Sequence, residues 1–262
     1  MGLKDLPMAW DICLDFLYSM EYVEGLAEFL KQNKVQKVLD CACGTGFPAV
    51  HLIPGQDFSL VLSDGNKEMA DKAREKIGKH RLEAPVFNLK WQELDKKFKE
   101  EFDCVICRGN SLVYVDSWGK NTINPEKAKR ELEISLKNFY NVLREGGFCY
   151  IDLISRKEFE NPSGVTCELF GKKKINGSEY SVVWLVKHDK KNKVRAWSPQ
   201  ILEWNNGIVT NKKSFSMKSY LLNHQELEEM LYSAGFSNIR KCVKIKGENH
   251  YDVFIAHKTL GG

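Results

Sequence analysis

Val38-Leu39-Asp40-Cys41-Ala42-Cys43-Gly44-Thr45-Gly46 is the stretch that decides how this chain folds. Val35 to Cys41 is a short apolar run that stops at a turn of small residues, as a buried strand does. Small residues at alternate positions let a backbone approach a ligand closely, because no side chain stands between them. Pro48 follows, where the first turn of a helix tolerates it. A glycine turn between strand and helix is a weak signal alone. It gains from Asp64, which closes the next apolar run, Phe58 to Ser63. A carboxylate there can accept both ribose hydroxyls of an adenosine lying across the carboxyl edge of a parallel sheet.

Working outward, residues 20–33 place Tyr22, Val23, Leu26, Phe29 and Leu30 at helical spacing. Met69, Ala70, Ala73 and Ile77 mark a helix after the second strand. Ala84 to Trp91 reads as a third strand and Phe102 to Cys107 as a fourth. A long helix over about 124–143 carries Ala128, Leu132, Leu136, Phe139 and Leu143, Gly146-Gly147 stops it, and Phe148 to Ile154 is a fifth strand. Strands alternating with helices predict a parallel sheet covered on both faces. Beyond Arg156 the pattern changes to alternating, aromatic-rich runs over 165–220: Tyr180 to Val186, Val194 to Trp204 and Ile208 to Tyr220. Asn176-Gly177, Asp189 to Asn192 and Asn205-Asn206-Gly207 separate them, which predicts antiparallel hairpins. Leu227, Met230, Leu231 and Ala234 restore helical spacing before Gly235. Ile239 to Ile245 and Tyr251 to His257 then form a closing pair of strands. The expected fold is α/β and Rossmann-like: a seven-stranded, mostly parallel sheet with an antiparallel terminal strand, and an inserted antiparallel β cap at about 156–222 of a single 1–262 domain.

Composition excludes several classes. The chain has 262 residues, with 43% hydrophobic, 28% charged and a net charge of +4, too mild to suggest nucleic acid as a partner. No apolar run approaches the roughly 20 residues that span a bilayer, and Met1 to Asp15 lacks the apolar core of a signal peptide. Most of the eight cysteines fall inside apolar runs, which suits reduced, buried thiols and a cytoplasmic protein. Cys104 and Cys107 form a C-x-x-C, but on a strand they face opposite ways. No metal is expected. Trp184, Trp197 and Trp204 could cage an alkylated ammonium, though packing the cap onto the sheet is the simpler role. Lys172 to Lys174 and Lys187 to Lys193 read as solvated turns.

Gly44-Thr45-Gly46-Phe47-Pro48-Ala49 also matches the dinucleotide fingerprint. Three features oppose a nicotinamide. Asp40 ends the first strand and suits an ammonium better than a pyrophosphate. Pro48 removes an N–H from the helix start, where an anion site would use it. The terminal hairpin is the third. No Gly-Lys-Ser/Thr phosphate loop appears, so ATP or GTP use is not expected.

Val38 to Gly46 with Ser63-Asp64 resembles motifs I and II of class I methyltransferases. Phe102 to Leu112, through Cys107-Arg108-Gly109-Asn110, resembles the fourth-strand signature of glycine and glycine/sarcosine N-methyltransferases. Glu21-Tyr22, Trp91 and Phe215 to His224 also fall where that family has counterparts. The resemblance implies S-adenosylmethionine as cofactor. Ala42 and Gly44 would line its methionine portion, Asp64 and Gly65 its ribose, and Met69, Lys90 and Trp91 its adenine. Trp10 and Tyr18 would touch it from the N-terminal region, and Arg108 stands where the family usually has an apolar residue. Asn110 would face the donor methyl, with Tyr114 nearby and Tyr220 lining the acceptor pocket. Tyr18 and Tyr22 are expected on one helical face.

Two departures bear on the acceptor. Ile154 occupies the slot of the arginine that grips the substrate carboxylate, and Tyr18 that of the arginine meeting the cofactor carboxylate. Arg108 could take over one of those carboxylates. Neither His224 nor His51 has an evident partner as a base, which favours an amine acceptor over a phenol. The expectation is methyl transfer to the nitrogen of a small amino acid or related amine. A small-molecule O-methyltransferase and a cofactor-binding protein without turnover stand as alternatives.

Overall fold

The computed structural model describes residues 6–175 and 177–259; Asn176 and residues 1–5, which entered the sequence reading, lie outside them. The chain begins with α1 (Leu6–Leu17) and α2 (Met20–Gln32), then β1 (Lys37–Asp40) and a short α3 (Ala49–Leu52). β2 (Ser59–Asp64), α4 (Lys67–Lys79), β3 (Val86–Asn88), α5 (Leu94–Lys97) and β4 (Phe102–Cys107) follow. α6 (Pro125–Val142) leads into β5 (Leu143–Ile154) and α7 (Arg156–Glu160). The cap is β6 (Val165–Ile175), β7 (Ser178–Asp189), β8 (Val194–Asn205), β9 (Ile208–Ser214) and β10 (Met217–Tyr220). α8 (His224–Ala234), β11 (Ser237–Val243) and β12 (Tyr251–His257) complete the chain.

The main sheet runs β11-β12-β5-β4-β1-β2-β3, with β12 antiparallel to both β5 and β11 and the remaining neighbours parallel. β4 lies between β1 and β5 and is buried along its whole length. Both of its faces are buried, so an unbroken apolar run fits it where an alternating one would not.

Local chemistry sets the helix boundaries. Asn66, Asn124 and Asn223 cap α4, α6 and α8, each accepting from a backbone N–H three residues on at 2.8–3.1 Å. Pro125 begins α6, and Gly235, at φ 105°, ends α8. Gly146-Gly147 does not merely stop a helix. Both residues lie within β5, where its register against β4 shifts. A Cβ on Gly147 would come within 2.9 Å of the Arg144 carbonyl and 3.0 Å of the Phe102 carbonyl, so only glycine fits the bulge.

Three further expectations are corrected, and one element is added. The third strand is only Val86–Asn88, and Trp91 opens a 3-10 turn. Tyr18 falls between α1 and α2, so it does not share a helical face with Tyr22, although the rings still pack at 4.6 Å. The run Ile208 to Tyr220 splits in two. β9 pairs with Gln200–Asn205 of β8 and β10 with Val194–Trp197. Pro199 lies between these stretches; its carbonyl accepts from Phe215 N, but it has no N–H to continue that ladder. α7 is an element the sequence reading passed over. Its signature is Ser155-Arg156-Lys157-Glu158, in which the Ser155 hydroxyl accepts from Glu158 N at 3.2 Å.

The cysteine expectation holds with two exceptions. Cys13, Cys41, Cys43, Cys104, Cys107 and Cys149 are buried and free, while Cys167 and Cys242 are exposed. Burial pushes the buried thiols up, Cys13 to about 12, so they stay protonated and inert. Among the described residues, no helix is long and apolar enough to cross a membrane.

Candidate functional site

A cavity of about 290 Å³ opens at the carboxyl ends of β1, β2 and β4, where an open α/β sheet places its ligands. Its floor is Cys41, Ala42, Cys43 and Gly44, the turn after β1. Gly44 has φ +52°, and a Cβ there would sit 3.4 Å from the indole nitrogen of Trp10, which α1 brings over the turn. α1 is fixed in place by Asp11, which accepts from the Thr45 hydroxyl and from Lys76 Nζ.

One end of the cavity is made by Asp64, Gly65, Asn66, Met69, Lys90 and Trp91. Asp64 accepts from Gly44 N at 2.9 Å through one oxygen and from Asn66 N at 2.8 Å through the other. These bonds aim the carboxylate along the cavity and leave each oxygen a further lone pair. Burial raises its pKa to about 6 despite the two N–H donors. The Trp91 indole N–H donates to the Cys41 carbonyl at 2.6 Å, which fixes the ring beside the floor. Met69, in the same wall, is buried.

The other end holds Arg108, Gly109, Ser111 and Tyr114. Arg108 is 5% exposed, with its guanidinium 5.7 Å from the ring of Tyr18 and 5.2 Å from that of Phe47. Among the described residues its Nε has no hydrogen-bond partner although it is buried. Burial works against its charge, but Tyr22, Asp40 and other nearby groups outweigh that and keep it protonated. Asp40, buried at the end of β1, is pushed up to about 6 by burial against the pull of Arg108 and of the Ala42 N–H it accepts at 3.1 Å. Asp152, on β5, accepts from Gly109 N at 2.8 Å and Asn110 N at 2.6 Å, fastening the loop after β4.

Ten of the thirteen expected site residues line this one cavity: Trp10, Ala42, Gly44, Asp64, Gly65, Met69, Lys90, Trp91, Arg108 and Tyr114. Three are not in its wall. Tyr18 stands behind Arg108. Asn110 is 2% exposed, at φ +53°, and its amide oxygen accepts from Ile154 N at 3.3 Å. Tyr220 donates from its hydroxyl to Glu226 at 2.5 Å, joining β10 to α8.

The sequence reading missed the roof of the cavity, Val115 to Trp118 and Lys120. Trp118 packs against Trp10 at 5.4 Å, Tyr114 at 5.2 Å and Trp197 at 6.4 Å, so the loop after β4, α1 and the cap meet in one aromatic cluster. Nothing in a single sequence announces such a meeting. Its members come from remote segments with no shared period.

Residues 38–147 match the methyltransferase domain family. The chain is 30% identical over 156 residues to the glycine/sarcosine N-methyltransferase of Aphanothece halophytica, covering 52% of this chain and 54% of that protein. It is 33% identical over 143 residues to the glycine N-methyltransferase of Homo sapiens, covering 50% and 45%. Each match thus spans about half the length of the curated relative. In fold, it superposes on a SAM-bound amino pentose methyltransferase of Micromonospora echinaspora with a TM-score of 0.72, covering 99% of each chain at 14% identity. The strand order, the cavity at its carboxyl edge and these likenesses give the chain the class I methyltransferase fold and a resemblance to the glycine and glycine/sarcosine N-methyltransferases.

Proposed function

We propose that this protein is an S-adenosylmethionine-dependent methyltransferase acting on the amine nitrogen of a small molecule. The observation that carries the reading is the pairing, across the Gly44 floor of one cavity, of a carboxylate at one end with a buried arginine at the other. Asp64 has lone pairs left for two hydroxyls of a ribose. Arg108 has a buried N–H without a partner, as a site waiting for an anionic group does. The residues therefore fit a ligand with a sugar at one end and a carboxylate at the other. Arg108 lies against Tyr18, which stands at the position of the resembling family's arginine, so a positive charge is kept in that neighbourhood by another residue.

When bound, the cofactor supplies an electrophilic methyl on a sulfonium. The chain's own contribution is alignment, which is worth up to about 7–11 kcal/mol when a nucleophile is held at near-attack distance. Asp40, buried behind the 41–44 floor, would favour the cofactor's ammonium end through its charge. Tyr114, Ser111 and Asp116 line the end where an acceptor would enter. Asp116 is held below its usual range by the bond from Lys127, which outweighs burial, and so stays ionised near an incoming amine.

Among the described residues, no histidine lines the cavity. His224 lies within hydrogen-bond distance of the Ile154 carbonyl, at 3.0 Å, and is not in the wall. That favours nitrogen over a phenolic oxygen, which needs a base. Titration calorimetry with S-adenosylmethionine, followed by labelled-methyl transfer to amino acids, betaine precursors and phenols, tests the reading. Binding with label on amines is the expected result. Label on phenols alone would replace it by O-methylation, and binding without any product would leave a cofactor-binding protein.

A further inference from the structure

A second cavity, of about 350 Å³, lies between the cap and the end of the main sheet. Its walls come from α7, the cap strands β6 to β8 and the turn before β12. Arg195 and Glu158 form its charged centre and Trp184 an aromatic side. One hydrogen bond links the two walls: Tyr114 lines the first cavity, and its hydroxyl accepts at 3.1 Å from Nη1 of Arg195, which lines the second.

The charge of Arg195 is already answered. The guanidinium is 5% exposed, and Nε and Nη2 both reach one oxygen of Glu158, at 3.3 Å each. That same oxygen lies 3.1 Å from His188 Nε2. Burial works to raise the Glu158 pKa, but His188 and Arg195 outweigh it, so the carboxylate remains ionised beside the guanidinium. A ligand carboxylate placed on Arg195 would meet Glu158 as a like charge. Lys157 and Glu168 add one charge of each sign, so the lining is balanced overall. What the cavity offers is a donor and an acceptor side by side, with Asn161, Thr166 and an indole face around them. Hydroxyl groups on a compact carbon frame use all three features. Glycine would leave most of the volume unfilled.

We propose that this cavity receives the hydroxyl-bearing body of the methyl acceptor, so that the substrate is a hydroxylated amine of the amino-sugar or amino-alcohol type. The inference rests on the methyltransferase reading. The Glu158–Arg195 pair then selects the acceptor, and Tyr114 separates its body from its reacting nitrogen.

The test is steady-state transfer of labelled methyl to glucosamine and a panel of free amino sugars and amino alcohols, beside glycine and sarcosine, with cofactor binding followed separately by calorimetry. Hydroxylated amines should exceed glycine by at least about tenfold in kcat/KM. Glu158→Gln should raise their KM about tenfold or more without changing cofactor affinity. Because Glu158 also bonds the buried His188, Glu168→Gln on the exposed cavity rim serves as a second variant and should raise KM about threefold with kcat unchanged. Preference for glycine or sarcosine, or unchanged KM in both variants, overturns the inference and leaves the methyltransferase reading intact. So does cofactor binding with no label on any hydroxylated amine. Absence of cofactor binding in the unaltered protein overturns both.

Discussion

Arg108 shows how much one side chain can redistribute. It draws the Asp40 carboxyl down against the effect of burial, and among the described residues its own buried Nε has no hydrogen-bond partner. Replacing it by leucine should weaken S-adenosylmethionine binding about ten- to a hundredfold, the loss of a charge-assisted hydrogen bond worth about 1.5–3 kcal/mol, measurable by calorimetry. Unchanged affinity would remove Arg108 from the cofactor site. Asp64 makes a second, sign-specific prediction. Its folded pKa, about 6, lies above the ordinary 3.8, so the protonated form is favoured by folding. Its contribution to the stability of the ligand-free protein is therefore fully present below about pH 4 and lost as pH rises through about 6. Cofactor affinity should run the other way, tightening through the same window as the carboxylate ionises. Asp64→Asn should flatten both slopes, leaving the part that Asp40 contributes in the same window, as read by thermal melts and calorimetry across pH 4–8. Undiminished slopes in the variant would assign them to another group.

Among the elements, the informative ones are those whose side chains join two layers. Tyr220 ends β10 and its hydroxyl is already used on Glu226, which also meets Lys193 at 3.3 Å. Tyr220→Phe should cost about 1–2 kcal/mol of stability, by chemical denaturation, and leave kcat nearly unchanged. A large fall in kcat with intact stability would return Tyr220 to the acceptor pocket. The elements themselves were legible to different degrees. α4, α6 and α8 announce themselves through period and caps, because a helix buries one stripe and needs its terminal N–H groups satisfied. β3 was read too long because Trp91 looks like strand material; its indole is instead turned to the Cys41 carbonyl. Where Pro199 interrupts an edge, local sequence carries the cause of the split between β9 and β10 but not its position in space.

Across the whole molecule, the tryptophans bind cap, N-terminal helix and cavity roof together. Trp197 on β8 touches Trp10 at 5.8 Å and Trp184 at 5.2 Å, besides Trp118. Trp197→Ala should cost about 3–5 kcal/mol by the loss of a buried aromatic, and should loosen cofactor binding as well, since Trp10 roofs Gly44. Thermal melts and tryptophan fluorescence would read the first effect and calorimetry the second; a destabilised variant with normal affinity would uncouple cap from cofactor site. By itself, the sequence determined the sheet, its terminal antiparallel strand and most of the residues that line the first cavity. Those rest on period, turn chemistry and short-range spacing, all of which are local. Only the tertiary structure decided which remote side chains meet. It placed Asn110 and Tyr220 outside that cavity's wall, set Arg108 against Tyr18, and brought Arg195 from the cap to Tyr114 and Glu158. Such contacts join residues far apart in the chain, and their partners are chosen by packing rather than by any pattern along it.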